Sequence, residues 1–395
     1  MKQIFNDLYY IGVNDRTKPL FESLWPLPHG VSYNSYLLVG QKTALIDTVD
    51  NHFAGEFTHK IKEVLGDRPL DYLVINHMEP DHSGSIAIIR KLYPNMQIVG
   101  NARTMDMLKG YYAIDSNTLV MKDGDELSLG NYHLRFYLTP MVHWPETMMT
   151  LETTTKTLFS GDAFGCFGAL DGGAVDKHIN TDRYWDEMIR YYSNIIGKYG
   201  GPVQKALQKL ADAPVKAICS THGPVWTEEE NIKKVINTYD RLSRYDADNG
   251  VVIVYASMYG HTEVLAEMIA SALSDCGIKN IVMHNASVSD PSYILRDIFK
   301  YKGLIVGSPT YNAQIFPKVD AILSQIESRN ISNRLFACFG SFTWAGAAAK
   351  RIKAFAESAG FELLAEPIEM KQAGWETVAE DVKQLAHAMS ERLHD

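Results

Sequence analysis

The chain has 395 residues, which points to two or three domains, because single hydrophobic cores stop growing at about 250 to 300 residues. Its composition, with 46% hydrophobic and 22% charged residues and no low-complexity tract, is that of a folded protein and argues against disorder. The net charge is −9 and neither half of the chain is basic, so the sequence predicts no nucleic acid partner.

The first part of the chain alternates short apolar segments with loops and some helices. Ser35–Val39, Thr43–Asp47 and Tyr72–Asn76 are predicted strands. The pattern indicates a mixed α/β domain that extends to residue 249.

Four potential metal ligands follow the third of these strands within six residues. They lie in the segment His77-Met78-Glu79-Pro80-Asp81-His82-Ser83-Gly84. Because a residue before proline is extended, we expect His77, Glu79 and Asp81 to project to one side, with Gly84 allowing the turn that brings His82 round. A solvated turn or a capped helix without a metal is a weaker explanation, because so dense a set of ligands rarely arises by chance.

Three further candidates each follow a predicted strand. They are His143, Asp162 and His222. Taken alone, each would as often be an ordinary polar residue, and only its place after a strand distinguishes it. Together with the first segment they supply four histidines and three carboxylates, enough for two ions. This ligand set, without thiolate, suits iron, zinc or manganese, and the acidic residue at 79 favours iron.

A polar segment, 240–250, ends the first domain, and the β-branched run Val251–Tyr255 opens the second. The predicted domains are therefore 1–249 and 250–395. In the second, strands are predicted at 251–256, 280–284, 303–308, 334–340 and 361–366. Helices are predicted at 262–275, 291–299, 317–328 and 345–359. This alternation predicts an open parallel sheet with helices on both faces.

Three loops at the ends of these strands suit a flavin mononucleotide. The first opens a helix, where free N–H groups and hydroxyls can hold a phosphate, and it matches neither the ATP loop nor the NAD loop. Aromatic residues in the other loops could flank a flat ring, although any single loop could be an ordinary capped turn. The candidate residues are Ser257, Met258, Tyr259, Gly260, His261, Thr262, Ser308, Pro309, Thr310, Tyr311, Asn312, Ser341, Phe342, Thr343, Trp344 and Gly346.

The four cysteines, Cys166, Cys219, Cys276 and Cys338, are far apart, and the chain has no C-x-x-C pair. Their scatter argues against an iron–sulfur cluster, a zinc ribbon or a built-in rubredoxin module. Neither a signal peptide nor an 18-residue apolar stretch is present. We therefore expect a cytoplasmic protein with structural cysteines and no membrane partner.

The ligand segment and the flavin loops together resemble the flavodiiron proteins. In that family a metallo-β-lactamase-like αββα sandwich with a non-haem di-iron site precedes a flavodoxin-like doubly wound parallel sheet with FMN. The resemblance covers the whole chain, and zinc hydrolases of the first fold typically have histidine where this chain has Glu79.

The resemblance implies roles for individual residues. His77, Glu79 and His143 match the ligands of one iron, Asp81, His82 and His222 match those of the other, and Asp162 matches the bridging carboxylate. Members differ in whether the histidine at the His82 position coordinates. The residues that resemble the surrounding pocket are His29, Trp144 and either Tyr191 or Tyr192.

The activity that the resemblance implies is reduction of dioxygen to water, of nitric oxide to nitrous oxide, or of both. A separate donor such as rubredoxin would supply electrons, and a head-to-tail homodimer, or a dimer of dimers, would place one subunit's flavin beside the other's irons. Two alternatives are a zinc hydrolase of the metallo-β-lactamase fold fused to a flavodoxin-like module, and an electron carrier without catalysis.

Overall fold

The computed structural model describes residues 2–394, and the chain divides into two compact units between Ser243 and Arg244. The first unit contains two large sheets and two short two-stranded sheets, and the second contains a parallel sheet, so the predicted α/β class is confirmed. Among residues 2–394, no helix combines the length and apolar character needed to span a bilayer.

Short strands and helices build the first unit. Its strands are β1 (Lys2–Phe5), β2 (Leu8–Tyr10), β3 (Val13–Asp15), β4 (Leu20–Phe21), β5 (Trp25–Pro26), β6 (Val31–Tyr33), β7 (Tyr36–Val39), β8 (Thr43–Ile46), β9 (Tyr72–Val74), β10 (Gln97–Gly100), β11 (Thr118–Val120), β12 (Glu126–Ser128), β13 (His133–Leu138), β14 (Met148–Glu152), β15 (Thr157–Gly161) and β16 (Ala217–Ser220). Its helices are α1 (Ala54–Leu65), α2 (Pro80–Ser83), α3 (Ile86–Leu92), α4 (Ala102–Tyr112), α5 (Asp182–Tyr191), α6 (Gly200–Leu210) and α7 (Glu229–Ser243). A π-helical turn, Tyr192–Ile196, directly follows α5.

The larger sheet has the order β1-β2-β7-β8-β9-β10-β11, and the other has the order β12-β13-β14-β15-β16. The two sheets pack against each other. The Tyr36 ring lies 5.5 Å from that of Phe159, and its hydroxyl donates to the Ser220 carbonyl. The Thr150 hydroxyl donates to Asn76 Oδ1 over 2.7 Å. Strand β9 is fully buried and pairs in parallel with β8 and β10, which explains its continuous apolar sequence.

The second unit alternates strands and helices. Its strands are β17 (Asp248–Tyr255), β18 (Ile281–Asn285), β19 (Tyr301–Tyr311), β20 (Gln314–Ile315), β21 (Leu335–Phe342), β22 (Glu362–Leu363) and β23 (Ile368–Lys371). Its helices are α8 (His261–Asp275), α9 (Pro291–Lys300), α10 (Pro317–Ser328), α11 (Ala348–Ser358) and α12 (Trp375–His394). The order β18-β17-β19-β21-β22 is parallel at every pairing, as predicted.

Two features of this sheet differ from the sequence prediction. The single strand expected at 361–366 is two strands, β22 and β23, because Pro367 lies between them and has no N–H to donate to β21. Helix α12 was not predicted. Its buried residues recur at helical spacing, as Val378, Val382, Leu385 and Met389 show.

The units divide six residues before the predicted domain boundary at 249. Tyr245 already belongs to the second unit. Its carbonyl accepts from Arg334 Nη1 over 2.7 Å, and its hydroxyl donates to the Arg329 carbonyl over 3.0 Å. The polar sequence before Val251 is therefore part of this unit and not a free linker.

Candidate metal centre and flavin pocket

The loop after β9 is anchored by a buried aspartate that the sequence analysis did not single out. Asp47 Oδ1 accepts from the Asn76 backbone N–H over 2.7 Å, and Oδ2 accepts from Asn76 Nδ2 over 3.0 Å. Burial raises the pKa of Asp47, against the opposing effects of His82 and of these hydrogen bonds. The anchor fixes the start of the ligand segment at His77.

The ligand segment is extended only as far as Glu79, whose φ is −57° and ψ is 140°. Helix α2 begins at Pro80, so Asp81 turns away from His77 and Glu79 and joins His82. The expectation that residues 77, 79 and 81 project to one side was therefore wrong. Gly84 has an ordinary φ of −59°, and a side chain there is excluded because a Cβ atom would lie 2.5 Å from the Pro80 carbonyl oxygen.

One group of ligand atoms comprises His77, Glu79, His143 and Asp162, all within 4.8 Å of one another. Glu79 Oε2 lies 3.3 Å from His77 Nε2 and 3.2 Å from His143 Nε2. Asp162 Oδ2 lies 3.1 Å from His143 Nε2. All four side chains are buried. Strands β9, β13 and β15 deliver them to one site.

The second group comprises Asp81, His82 and His222. The Nε2 atoms of the two histidines are 3.0 Å apart, and Asp81 Oδ2 lies 3.4 Å from each. Asp162 reaches this group too, because its Oδ1 lies 3.0 Å from His82 Nε2. Both buried carboxylate oxygens of Asp81 lack a hydrogen-bond partner among residues 2–394. A bound cation would satisfy them, so the residues fit a pair of metal ions.

Hydrogen bonds to the outer nitrogen of two imidazole rings determine which nitrogen faces each ligand group. His222 Nδ1 lies 2.7 Å from the Ser32 carbonyl oxygen, an acceptor, so Nδ1 carries the proton and Nε2 has a free lone pair. His77 Nδ1 lies 2.8 Å from Glu146 Oε1. This arrangement, with an outer acceptor behind a ligating imidazole, is typical of metal sites.

The buried histidines and carboxylates of the cluster shift one another's pKa values. Burial lowers the pKa of His82, but Asp81 and Asp162 outweigh it and raise that pKa to about 9. Burial likewise opposes the raised pKa of His143, about 9, which Asp162 and Glu79 cause. Burial raises the pKa of Asp162, yet His77 and His82 hold it well below its usual range. The carboxylates therefore stabilise positive charge within the cluster, either on protonated histidines or on bound metal ions. Protons and metal ions compete for the same histidine nitrogens.

Aromatic rings surround the two groups. The ring centroid of Tyr191 lies 5.4 Å from that of His222, whereas Tyr192 packs against Tyr239 at 5.0 Å. The structure thus places Tyr191, of the two tyrosines, beside a candidate ligand. Trp144 lies 5.3 Å from His77. The side chain of His29 is exposed, and its carbonyl accepts from Ala169 N over 2.8 Å.

In the second unit, the three predicted loops line one cavity of about 430 Å³ at the ends of β17, β19 and β21. Gly260, with a φ of +92°, precedes α8, whose N-terminal N–H groups suit a phosphate. The exposed rings of Tyr259, Tyr311 and Trp344 stand at the cavity and suit a flat aromatic ligand.

Most of the predicted flavin residues line this cavity, and three do not. Gly260 and Gly346 shape the backbone of their loops, and Ser308 is buried behind its loop, where its hydroxyl accepts from Phe316 N over 2.9 Å. Ala313, Ala345 and Gln372 also line the cavity and were not among the predicted residues. Gln372 follows β23, a strand that the sequence analysis merged with its neighbour.

Comparison with known proteins relates both units to described families. Residues 31–223 match the ODP family beta lactamase, and residues 253–385 match flavodoxin. The chain is 34% identical over 363 residues to the anaerobic nitric oxide reductase flavorubredoxin of Vibrio vulnificus, covering 90% of this chain and 73% of that protein. It is 31% identical over 399 residues to the nitric oxide reductase of Moorella thermoacetica, covering 99% and 98%.

The structure resembles rubredoxin oxygen:oxidoreductase of Desulfovibrio gigas with a TM-score of 0.94 and 29% identity, covering 100% of this chain and 98% of that one. The flavodiiron protein of Giardia intestinalis superposes with a TM-score of 0.94 at 25% identity, over 100% and 96% of the two chains. The chain belongs to the flavodiiron protein family.

In this flavodiiron protein the candidate ligands of the first unit converge, although they are spread from His77 to His222. Besides Ser32, Glu146 and Thr221 contact these ligands and were not predicted from the sequence. Glu146 contacts His77, and the Thr221 hydroxyl donates to Asp162 Oδ1. A signal for Glu146 existed, since it is a carboxylate three residues after His143. Nothing local marked Thr221 beyond its position before His222.

Proposed function

We propose that this flavodiiron oxidoreductase reduces nitric oxide to nitrous oxide, dioxygen to water, or both, at two non-haem irons supplied with electrons through FMN. The observation that carries the proposal is the pair of buried ligand groups, each with two imidazoles and one carboxylate of its own. Asp162 turns one oxygen toward each group, as a bridging carboxylate would.

In the proposed assignment, His77, Glu79 and His143 would hold one iron, and Asp81, His82 and His222 would hold the other. Asp162 would offer one carboxylate oxygen to each. Two adjacent ferrous ions can bind a diatomic molecule and supply two electrons together. Imidazole and carboxylate without thiolate are ligands that suit iron.

The surrounding residues would position the gas and deliver protons. Two nitric oxide molecules, two electrons and two protons give nitrous oxide and water, so proton donors must lie near the ligands. The buried Tyr191 hydroxyl has no hydrogen-bond partner among residues 2–394, and its ring lies beside His222. We propose that it donates a hydrogen bond to the bound gas. Trp144, beside His77, is proposed as part of the pocket wall, whereas His29 and Tyr192 are proposed there on the family resemblance alone.

The cavity in the second unit supports FMN as the second cofactor. The N-terminus of α8 would bind the phosphate, with the Thr262 hydroxyl as a further donor, while Tyr311 and Trp344 would flank the ring. FMN can accept two electrons and pass them on one at a time. Its role here is to return the irons to the reduced state.

We propose a separate electron donor such as rubredoxin, since one structural relative is a rubredoxin oxygen:oxidoreductase. A head-to-tail homodimer or dimer of dimers would bring flavin and iron from different subunits together. A cytoplasmic location, with no membrane or nucleic acid partner, completes the proposal.

The decisive experiment supplies the reduced, iron-loaded protein with nitric oxide and with dioxygen separately and identifies the products. The matched variants are Asp162→Asn and Asp176→Asn, because Asp176 is an equally buried aspartate that instead holds Thr227 and Asn231. We expect Asp162→Asn to lose gas reduction while its flavin is still reduced, and Asp176→Asn to keep it. No consumption of either gas by the iron-loaded parent protein would contradict the proposal.

Metal analysis of natively expressed protein separates the alternative functions. Two zinc ions and no iron would favour a hydrolase of the metallo-β-lactamase fold. Glu79 counts against this alternative, because a third histidine is typical of zinc hydrolases at that position. Iron-loaded protein that accepts electrons but reduces neither gas would favour an electron carrier.

A further inference from the structure

The two ligand groups contain the same types of side chain, but the hydrogen-bond acceptors on the outer side of their histidine rings differ. Each contains two imidazoles and one carboxylate, and Asp162 offers an oxygen to both. Behind His77 lies the carboxylate of Glu146, at 2.8 Å, and both side chains are fully buried. Behind His222 lies the neutral carbonyl of Ser32, at 2.7 Å.

Glu146 is held so that its charge stays directed at the first group. Its Oε1 also accepts from the Met78 backbone N–H over 2.9 Å, between two candidate ligands in sequence. Its own carbonyl accepts from Asn101 Nδ2. Among residues 2–394, its carboxylate has no ion pair with lysine or arginine, and its Oε2 has no hydrogen-bond partner. Apart from His77, no basic side chain of residues 2–394 therefore balances this charge, and the charge is not exposed to solvent screening.

We propose, on the basis of the proposed di-iron site, that Glu146 is a positioning residue that makes the iron held by His77, Glu79 and His143 the harder of the two to reduce. A carboxylate that accepts the N–H of a ligating imidazole raises the basicity of that ligand. A more basic ligand and a nearby negative charge both stabilise the ferric ion over the ferrous ion.

The hydrogen bonds around the second group favour the ferrous ion instead. Its His222 donates to a neutral carbonyl, and Thr221 donates to Asp162 Oδ1, the oxygen that faces this group. That hydrogen bond withdraws electron density from the bridging oxygen on this side. An iron held by Asp81, His82 and His222 would therefore have the higher reduction potential of the two.

The test is a redox titration of the iron-loaded protein, followed by the electron paramagnetic resonance of the half-reduced state. Glu146→Gln keeps the size and the oxygen acceptor but removes the charge. We expect the lower of the two reduction potentials to rise and the higher one to stay. The comproportionation constant of the half-reduced state should fall roughly tenfold, which is about 59 mV less separation.

Glu152→Gln is the matched control, because Glu152 is an equally buried carboxylate that accepts backbone N–H groups of Thr154 and Thr155, away from the ligand groups. Its potentials should equal those of the parent protein. If Glu146→Gln retains no iron, Glu146→Asp is titrated instead, and a smaller shift of the same potential is expected. A shift of the higher potential, unchanged potentials, or one unresolved two-electron step in the parent protein would overturn the inference. These outcomes differ from a failure of the proposed function, which appears as absence of gas reduction.

Discussion

Gly223, the residue after His222, shows how closely the backbone packs at the metal site. Its φ is +78°, a conformation that suits glycine, and a Cβ atom there would lie 2.2 Å from Cys166 Sγ. The Gly223 N–H donates to Ser32 Oγ, and Ser32 also supplies the carbonyl behind His222. Backbone geometry at one glycine therefore sets the position of one candidate ligand.

Gly223→Ala should destabilise the first unit more than Gly172→Ala does. Both glycines have a φ of +78°, but a Cβ at Gly172 would meet nothing within 4 Å. The left-handed conformation costs about 1 to 2 kcal/mol in both variants. The steric clash adds roughly 1 to 3 kcal/mol only at Gly223. Denaturant unfolding measures the difference, and equal losses of stability in the two variants would contradict this account.

The histidines of the cluster predict opposite pH effects with and without metal. In the metal-free protein the pKa of His82 and of His143 is about 9, above the ordinary 6.5. A raised pKa stabilises the fold below the ordinary value, and that contribution is lost as the pH rises through about 9. We expect the metal-free protein to lose at least about 1 kcal/mol between pH 6.5 and pH 9.5.

Metal binding should reverse this trend, because it displaces the protons and becomes tighter as the pH rises. Melting temperatures of chelator-treated and metal-loaded protein across this pH range provide the measurement. His133→Gln is the control, since His133 lies outside both ligand groups and should leave the slope unchanged. A metal-free protein whose stability does not decline toward high pH would argue against the raised pKa values.

Among the elements, the strand β21 begins next to a buried arginine that holds three segments together. Arg334 Nε donates to the Ile298 carbonyl over 2.8 Å, and Nη2 donates to the Phe299 carbonyl over 3.1 Å, at the end of α9. Its Nη1 donates to the carbonyl of Tyr245, before β17. Burial lowers the pKa of Arg334 to about 10. Backbone carbonyls thus replace the carboxylate partner that a buried cation usually has.

Arg334→Met should destabilise the second unit by roughly 3 kcal/mol or more, because several buried carbonyls lose a charged donor. Arg392→Met is the control, since it breaks an exposed pair with Glu362 and should cost less than about 1 kcal/mol. Calorimetry with flavin release as the marker of the second unit tests both variants. Equal stability of the two variants would show that Arg334 does not hold these segments.

At the scale of the whole molecule, the two cofactor sites lie in separate compact units. Among residues 2–394, the candidate metal ligands lie in the first unit and the candidate flavin cavity lies in the second. The proposed homodimer would connect the flavin of one subunit to the irons of its partner. Its existence is a prediction of the family resemblance.

A variant that is monomeric by sedimentation should therefore keep both cofactors and lose gas turnover. Iron and FMN content of the monomer, measured beside its rate with each gas, separates loss of assembly from loss of cofactor. The parent dimer, assayed at the same subunit concentration, is the control. Full activity in a verified monomer would overturn the requirement for a partner subunit.

Local sequence determined much of this protein. The parallel sheet of the second unit follows from alternating strands and helices, and its loops follow strand ends because parallel strands place those ends at one edge. The segment from His77 to His82 could also be predicted as a metal site from local sequence, since its candidate ligands lie within six residues. The family resemblance rested on these local patterns.

Only the tertiary structure decided which residues meet. His82 and His222 are separated by 140 positions, and His77 and Glu146 by 69, so nothing in their local spacing records the contact. Helix α2 turns Asp81 toward the second ligand group, where the family resemblance also puts it and the expectation of one extended face did not. The rings around His222 place Tyr191 beside it. Local patterns set the shape of a segment, whereas long-range packing of strands and sheets sets which side chains face one another.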